Sequence, residues 1–179
     1  MFTQMIIYLL QTIAGFFTML LLVRTAMRWM RISFVNQVGQ FVLATTNWAV
    51  MPLQRVLPSV GRLDLSSLVP AWLLQVILVL VVAAVQGFGF DDPLLAVVRA
   101  FGIGALELLR SALYLLMFVV ILGAVISWVN PRAPMAPVLN MLTRPFLDPI
   151  RRIVPPVANV DLSPLVLLVI VQILLIAIA

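Results

Sequence analysis

Four apolar runs, set as two pairs around a duplicated basic connector, constrain this chain more than any other feature in it. The later connector reads Thr143-Arg-Pro-Phe-Leu-Asp-Pro-Ile-Arg-Arg-Ile-Val-Pro and leads into Val160-Asp-Leu-Ser-Pro. The earlier one reads Thr46-Asn-Trp-Ala-Val-Met-Pro-Leu-Gln-Arg-Val-Leu-Pro and leads into Leu63-Asp-Leu-Ser-Ser. Thr46 and Thr143, Pro52 and Pro149, Arg55 and Arg152, Pro58 and Pro155, Asp64 and Asp161, and Ser66 and Ser163 all coincide at an offset of 97. Ile32-Ser-Phe-Val-Asn-Gln and Ile126-Ser-Trp-Val-Asn-Pro extend the likeness at an offset of 94. Self-similarity of this kind means one helix–connector–helix unit used twice. The expected organisation is a first repeat over 1–90 and a second over 91–179.

Composition says where such a unit lives. Hydrophobic residues make up 64% of the chain and charged ones 9%, against about 45–50% and about 25% in soluble domains. With a mean hydropathy of +1.22, the chain is expected to be an all-α membrane protein. All eleven basic residues are Arg, set against six acids for a net charge of +5. Because these arginines flank apolar runs, anionic headgroups are the expected electrostatic partner, and nucleic acid is not. There is no Cys and no His. Disulfides, thiol nucleophiles and the commonest general base and metal ligand are therefore excluded, and neither an enzyme nor a bound cofactor or metal is expected.

Residues 2–23 carry no charge, and about 20 apolar residues suffice for one crossing. Arg24, Arg28 and Arg31 follow this run, the reverse of a cleavable signal peptide, so it reads as a retained span over about 2–30. Gln4, Gln11, Thr18 and Thr25 recur every seven residues along it and predict a helix-packing stripe. From Val35 to Val56 apolar residues recur at helical spacing among Asn36, Gln37, Gln40 and Asn47, as in an amphipathic interfacial helix. Pro52 fits the first turn of a fresh short helix that Pro58 closes.

The second span is expected over about 63–87, opened by Asp64 or Ser66 as N-cap, with Gln75 near the midplane. The third covers about 100–129 and the fourth about 162–179, where Gln172 is the repeat partner of Gln75. Glu107 and Arg110 stand three apart and can pair; they are expected to be anchors at the outer edge of the third span. Gly123 and Ser127 predict a second small-residue packing site. In the second connector Asp148 and Pro149 read as N-cap and first helical position, and Asp161 and Ser163 as the cap of the fourth span.

Between the first two spans lie Arg24, Arg28, Arg31, Arg55 and Arg62, and between the last two lie Arg132, Arg144, Arg151 and Arg152. Asp91 and Asp92 occupy the intervening loop. The positive-inside rule then places the connectors, 31–62 and 130–161, in the cytoplasm and both termini outside. Two spans per repeat give copies that enter the bilayer in the same sense.

The residues Pro149-Ile-Arg-Arg-Ile-Val-Pro with Val160-Asp-Leu-Ser-Pro, and Pro52-Leu-Gln-Arg-Val-Leu-Pro with Leu63-Asp-Leu-Ser, resemble the YggT family, also called YlmG, of small bacterial membrane proteins. Gln54 stands where the family pattern has the first Arg of the pair, and Ala158-Asn159 where it has a glycine-containing turn. The resemblance implies a cytoplasmic (inner) membrane location and links to osmotic stress, to division or nucleoid distribution, and to cytochrome assembly. The leading expectation is a non-catalytic scaffold or assembly factor. Its Arg55, Arg144, Arg151 and Arg152 would bind anionic lipid or a second membrane protein, with a homo-oligomer also possible on this plan. The alternative is an oligomeric ion or small-solute channel using Gln75 and Gln172.

Overall fold

The computed structural model describes residues 2–55, 57, 64–87, 92–130, 132–154 and 161–178. Pro58, Arg62, Asp91 and Pro155 lie outside the described residues, as do the expected glycine-replacing Ala158 and Asn159. Among the described residues the fold is wholly helical. The elements are α1 (Phe2–Trp29), α2 (Gln37–Gln54), α3 (Leu65–Val85), α4 (Pro93–Val129), α5 (Ala136–Ile153) and α6 (Ser163–Ala177). Three of them, α1, α3 and α4, are long and apolar enough to cross a membrane. The last, α6, is apolar but has 15 described helical residues, about 22 Å at 1.5 Å per residue.

Local chemistry explains most of the boundaries. Met30 closes α1, and Arg31 beyond it has φ 56°, the left-handed region. Ile32 N–H donates to Met27 O at 2.8 Å and Arg31 N–H to Arg28 O at 3.1 Å, the paired 6→1 and 5→2 bonds of a Schellman stop. Burial of Ile32 against Met27 supplies its usual apolar contact. Asn36 caps α2 by accepting from Gly39 N–H at 2.8 Å. Gly39 is required there, since a Cβ would lie 2.5 Å from Phe34 Cα. Asp92 caps α4 through bonds from Leu94 and Leu95 N–H, with Pro93 at the first turn.

Four expectations need correction. Pro52 does not start a fresh helix, because α2 runs through it to Gln54. Asp148 and Pro149 do not form a helix start either: α5 is continuous from Ala136 to Ile153 with Pro145 and Pro149 inside it. A proline forfeits one backbone hydrogen bond; burial of Val138, Leu139, Leu142 and Leu147 along one face holds α5 together regardless. The third apolar run belongs to a 37-residue helix that Asp92 caps and that begins at Pro93, ahead of the expected start of the span near residue 100. Finally, Gly123 meets Leu139 at an ordinary 3.8 Å and Ser127 is exposed. Gly104 is the close-approach site instead, where a Cβ would lie 2.7 Å from Val76 Cγ2 and 3.0 Å from Val76 N.

Around this contact α3 lies between α1 and α4, with α2 laid across α1 and α3. Trp72 adds an edge-on contact to Phe101, its Nε1–H reaching Phe101 O at 3.2 Å. The principal neighbours of α6 are α4 and α5. One apolar cluster joins Met27 and Ile32 to Val119, Val138, Leu139 and Leu142. A second joins Val120 and Leu147 to Leu167, Val171 and Leu175.

Candidate functional site

Where α1 ends, two charged residues that flank the first connector, Arg24 and Asp64, are drawn into the bundle. Arg24 is 3% exposed, and its Nη1 donates to Thr46 Oγ1 at 2.8 Å and Asn47 Oδ1 at 2.9 Å. One turn later Arg28 Nη1 meets Asp64 Oδ1 at 2.9 Å. Asp64, 1% exposed, also accepts from the hydroxyls of Ser66 and of Ser67, the latter at 2.7 Å. Asp64 occupies the backbone N-cap position of α3, but its side chain makes no capping bond. Its oxygens are already taken by two hydroxyls and a guanidinium, so Asp64 ties α1 to α3.

The second copy of the motif is wired differently. Asp161 Oδ1 accepts from Ser163 N–H at 2.9 Å, and its Oδ2 faces Arg151 at 2.9 Å. Its cationic partner comes from α5, whereas that of Asp64 comes from α1. Burial works to raise the Asp161 pKa; the adjacent Ser163 side chain, the Ser163 N–H and Arg151 overcome it, so the carboxyl titrates below its ordinary value. Ser163 Oγ is itself buried without a full hydrogen bond. Asp148 receives Arg144 at 3.2 Å and Arg151 at 3.6 Å. Arg55, Arg144, Arg151 and Arg152 are all exposed, as are Pro52 and Pro149, while Ser66 and Ser163 are buried.

Beside α5 lies a feature that the pattern of connectors did not disclose. A cavity of about 390 Å³ is lined by Trp29, Met30, Arg31, Met141, Arg144 and Pro145. It adjoins an almost wholly apolar groove of about 290 Å³ between α1, α4 and α5, and Trp29 and Met30 line both. Of the residues expected to bind lipid, only Arg144 lines this cavity. Trp29 and Arg31 were missed; the signal available was an aromatic–cation pair at the end of an apolar run.

At the other end of α3 a polar cavity of about 540 Å³ is lined by Gln11, Gln75, Gln86, Glu107, Arg110 and Ser111 together with apolar residues of α3. Thus Gln11, Gln75, Glu107 and Arg110 are brought together, and Glu107 and Arg110 share a cavity with the expected midplane glutamine. Gln75 is 5% exposed and donates from Nε2 to Thr18 Oγ1 at 3.0 Å. Arg110 bonds Glu107 Oε1 at 2.6 Å and Ile178 O at 2.7 Å. Gln172 is not part of this group: it is exposed on α6.

The fold and these sites define the class first: an all-helical protein with apolar helices able to cross a membrane and with arginines gathered at their ends. The CCB3/YggT family model matches residues 3–85 and 102–179, and the chain belongs to that family. It is similar to the YggT protein of Escherichia coli strain K12, 34% identical over 168 residues, covering 93% of this chain and 85% of the relative. A Vibrio alginolyticus protein encoded in the proC 3' region is 34% identical over 166 residues, covering 90% and 86%. A Pseudomonas aeruginosa protein is 30% identical over 161 residues, covering 89% and 80%. No solved structure matches.

Proposed function

We propose that the protein is a non-catalytic membrane scaffold whose arginine-bearing face holds an anionic phospholipid. The observation that carries this reading is that the Trp29–Arg31–Arg144 cavity shares Trp29 and Met30 with the apolar groove along α1, α4 and α5. A phosphate on the two guanidiniums would leave an acyl chain to follow the groove, where Leu22, Ala26, Leu115 and Phe146 offer apolar surface. Arg makes the stronger, bidentate contact to phosphate. Its placement supports the same reading, because Arg31 holds a left-handed position that glycine fills at least strain. Strain kept at one residue points to a role for its side chain.

In this reading the arginine connectors face the cytoplasm, α6 is a fourth crossing, and α1–α3 and α4–α6 are the two repeats. Arg55, Arg151 and Arg152 widen the cationic face for further headgroups or a second membrane protein. Such a scaffold would serve in osmotic tolerance, division or cytochrome assembly, the roles that the family resemblance implies.

Native mass spectrometry of the protein released from nanodiscs tests this. Phosphatidylglycerol or cardiolipin is expected to stay bound where phosphatidylcholine is lost, and Arg144→Gln is expected to weaken retention about tenfold. Arg31→Gly separates binding from folding: it relieves the left-handed strain, so thermal stability holds or rises while anionic-lipid retention falls. Unchanged retention in both variants would sink the site.

A further inference from the structure

The polar cavity between α1, α3 and α4 has no part in the lipid reading and shares no lining residue with it. Gln75 lies ten residues into α3, about 15 Å along its axis at 1.5 Å per residue. Gln86 lies just past the other end of that helix. The cavity therefore runs from a helix end to roughly the middle of an apolar span, with the ionisable pair Glu107 and Arg110 lining it beside the C-terminal end of α6.

Its lining is pre-arranged. Arg110 is held at two points, by Glu107 Oε1 and by the carbonyl of Ile178. Arg110 engages one carboxylate oxygen of Glu107 and leaves the other for a ligand. A guanidinium has five N–H donors, and three of those on Arg110 are left by these two bonds. Gln75 is fixed by Thr18 through Nε2, which leaves Oε1 as an acceptor. Gln11, Gln86 and Ser111 supply both donors and acceptors elsewhere in the lining.

The charges of Glu107 and Arg110 cancel. A lone ion entering this space would bring a net charge into a bundle of apolar helices with no counter-charge left over for it, which is unfavourable. A molecule carrying both signs would instead set its cationic end on Glu107 and its anionic end on Arg110. The volume of about 540 Å³ falls within the roughly 300–1,000 Å³ of small-molecule sites. We propose that this cavity binds a small zwitterionic solute, of the size and charge pattern of an amino acid, between the Glu107–Arg110 pair and the amides of Gln11 and Gln75.

Scintillation-proximity binding with the purified protein in nanodiscs tests the proposal, with labelled proline as the zwitterion, glycerol as an uncharged polyol and rubidium as a bare cation. Saturable proline binding is expected, reduced at least tenfold by Glu107→Gln and by Gln75→Leu. Because the chain has no Cys, Ser111→Cys gives a single reporter in an otherwise unaltered lining. Its modification by a charged, water-soluble thiosulfonate is expected to proceed and to slow severalfold with proline. Saturable binding of glycerol or rubidium in place of proline would overturn the ligand class. A reporter that proline leaves unaffected would overturn the site, even if Glu107→Gln proved too unstable to assay.

Discussion

Asp64 and Asp161 occupy the same place in the duplicated motif, yet they answer to different neighbours. Asp64 is enclosed by Arg28, Ser66 and Ser67, so removing its charge leaves a guanidinium and two hydroxyls underserved. Hydrogen bonds to charged groups contribute about 1.5–3 kcal/mol each in net terms, and Asp64→Asn is expected to lose about that much in a denaturant titration in detergent micelles. The Arg28 side chain retains access to water, which holds the loss to this range. Asp161 is more exposed, and its signature is a pH dependence. Its folded pKa lies below the ordinary carboxylate value, so its contribution is fully present above the unfolded pKa and fades as pH falls through the folded one. The hydrogen-exchange protection factors of the first turn of α6, taken against the intrinsic rate at each pH, are expected to fall as pH drops below the carboxylate range, and Arg151→Gln is expected to flatten that profile. Both aspartates were visible as motif residues in the sequence. Their partners were not, because the ion pairs Arg28–Asp64 and Arg151–Asp161 link separate helices.

Helix content was largely legible, and boundaries failed where a local rule met tertiary packing. Proline reads as a helix start when judged from its missing N–H alone, yet Pro52, Pro145 and Pro149 all lie inside helices. The buried stripe of α5 decides the matter, since an apolar face held against α4 and α6 keeps the helix running past a lost bond. The heptad of polar residues on α1 was read correctly at Thr18, which pairs with Gln75 on α3. The small-residue pair on α4 was misplaced: nothing in the run of residues sets Gly104 apart from Gly123, and only the approach of Val76 does. Gly104→Ala must push Val76 aside. Overpacking of this kind costs about 1–3 kcal/mol, and it is expected to appear as a lower thermal midpoint in detergent, with Gly123→Ala near neutral as the matched control.

On the scale of the molecule, duplication in sequence has not produced identical surroundings for the two halves. Helix α3 is flanked by α1, α2 and α4, while α6 has α4 and α5 as its main neighbours. The apolar groove opens beside α1, α4 and α5. A lipid seated there would bind the folded state alone, and at a concentration 100 times its dissociation constant it would add about 2.7 kcal/mol. Exhaustive delipidation is therefore expected to lower the thermal midpoint, and anionic lipid to restore it where zwitterionic lipid does not. Chain patterning by itself determined that this is an apolar helical protein with two basic, proline-containing connectors, because hydrophobic run length and the recurrence of a motif are one-dimensional quantities. Tertiary structure decided which arginines are buried, which glycine allows contact, and that Gln11, Gln75, Glu107 and Arg110 surround one cavity while Gln172 stands apart. Those outcomes depend on the rotation and stagger of each helix against its neighbours, and side chains from α1, α3 and α4 meet only after these have been set.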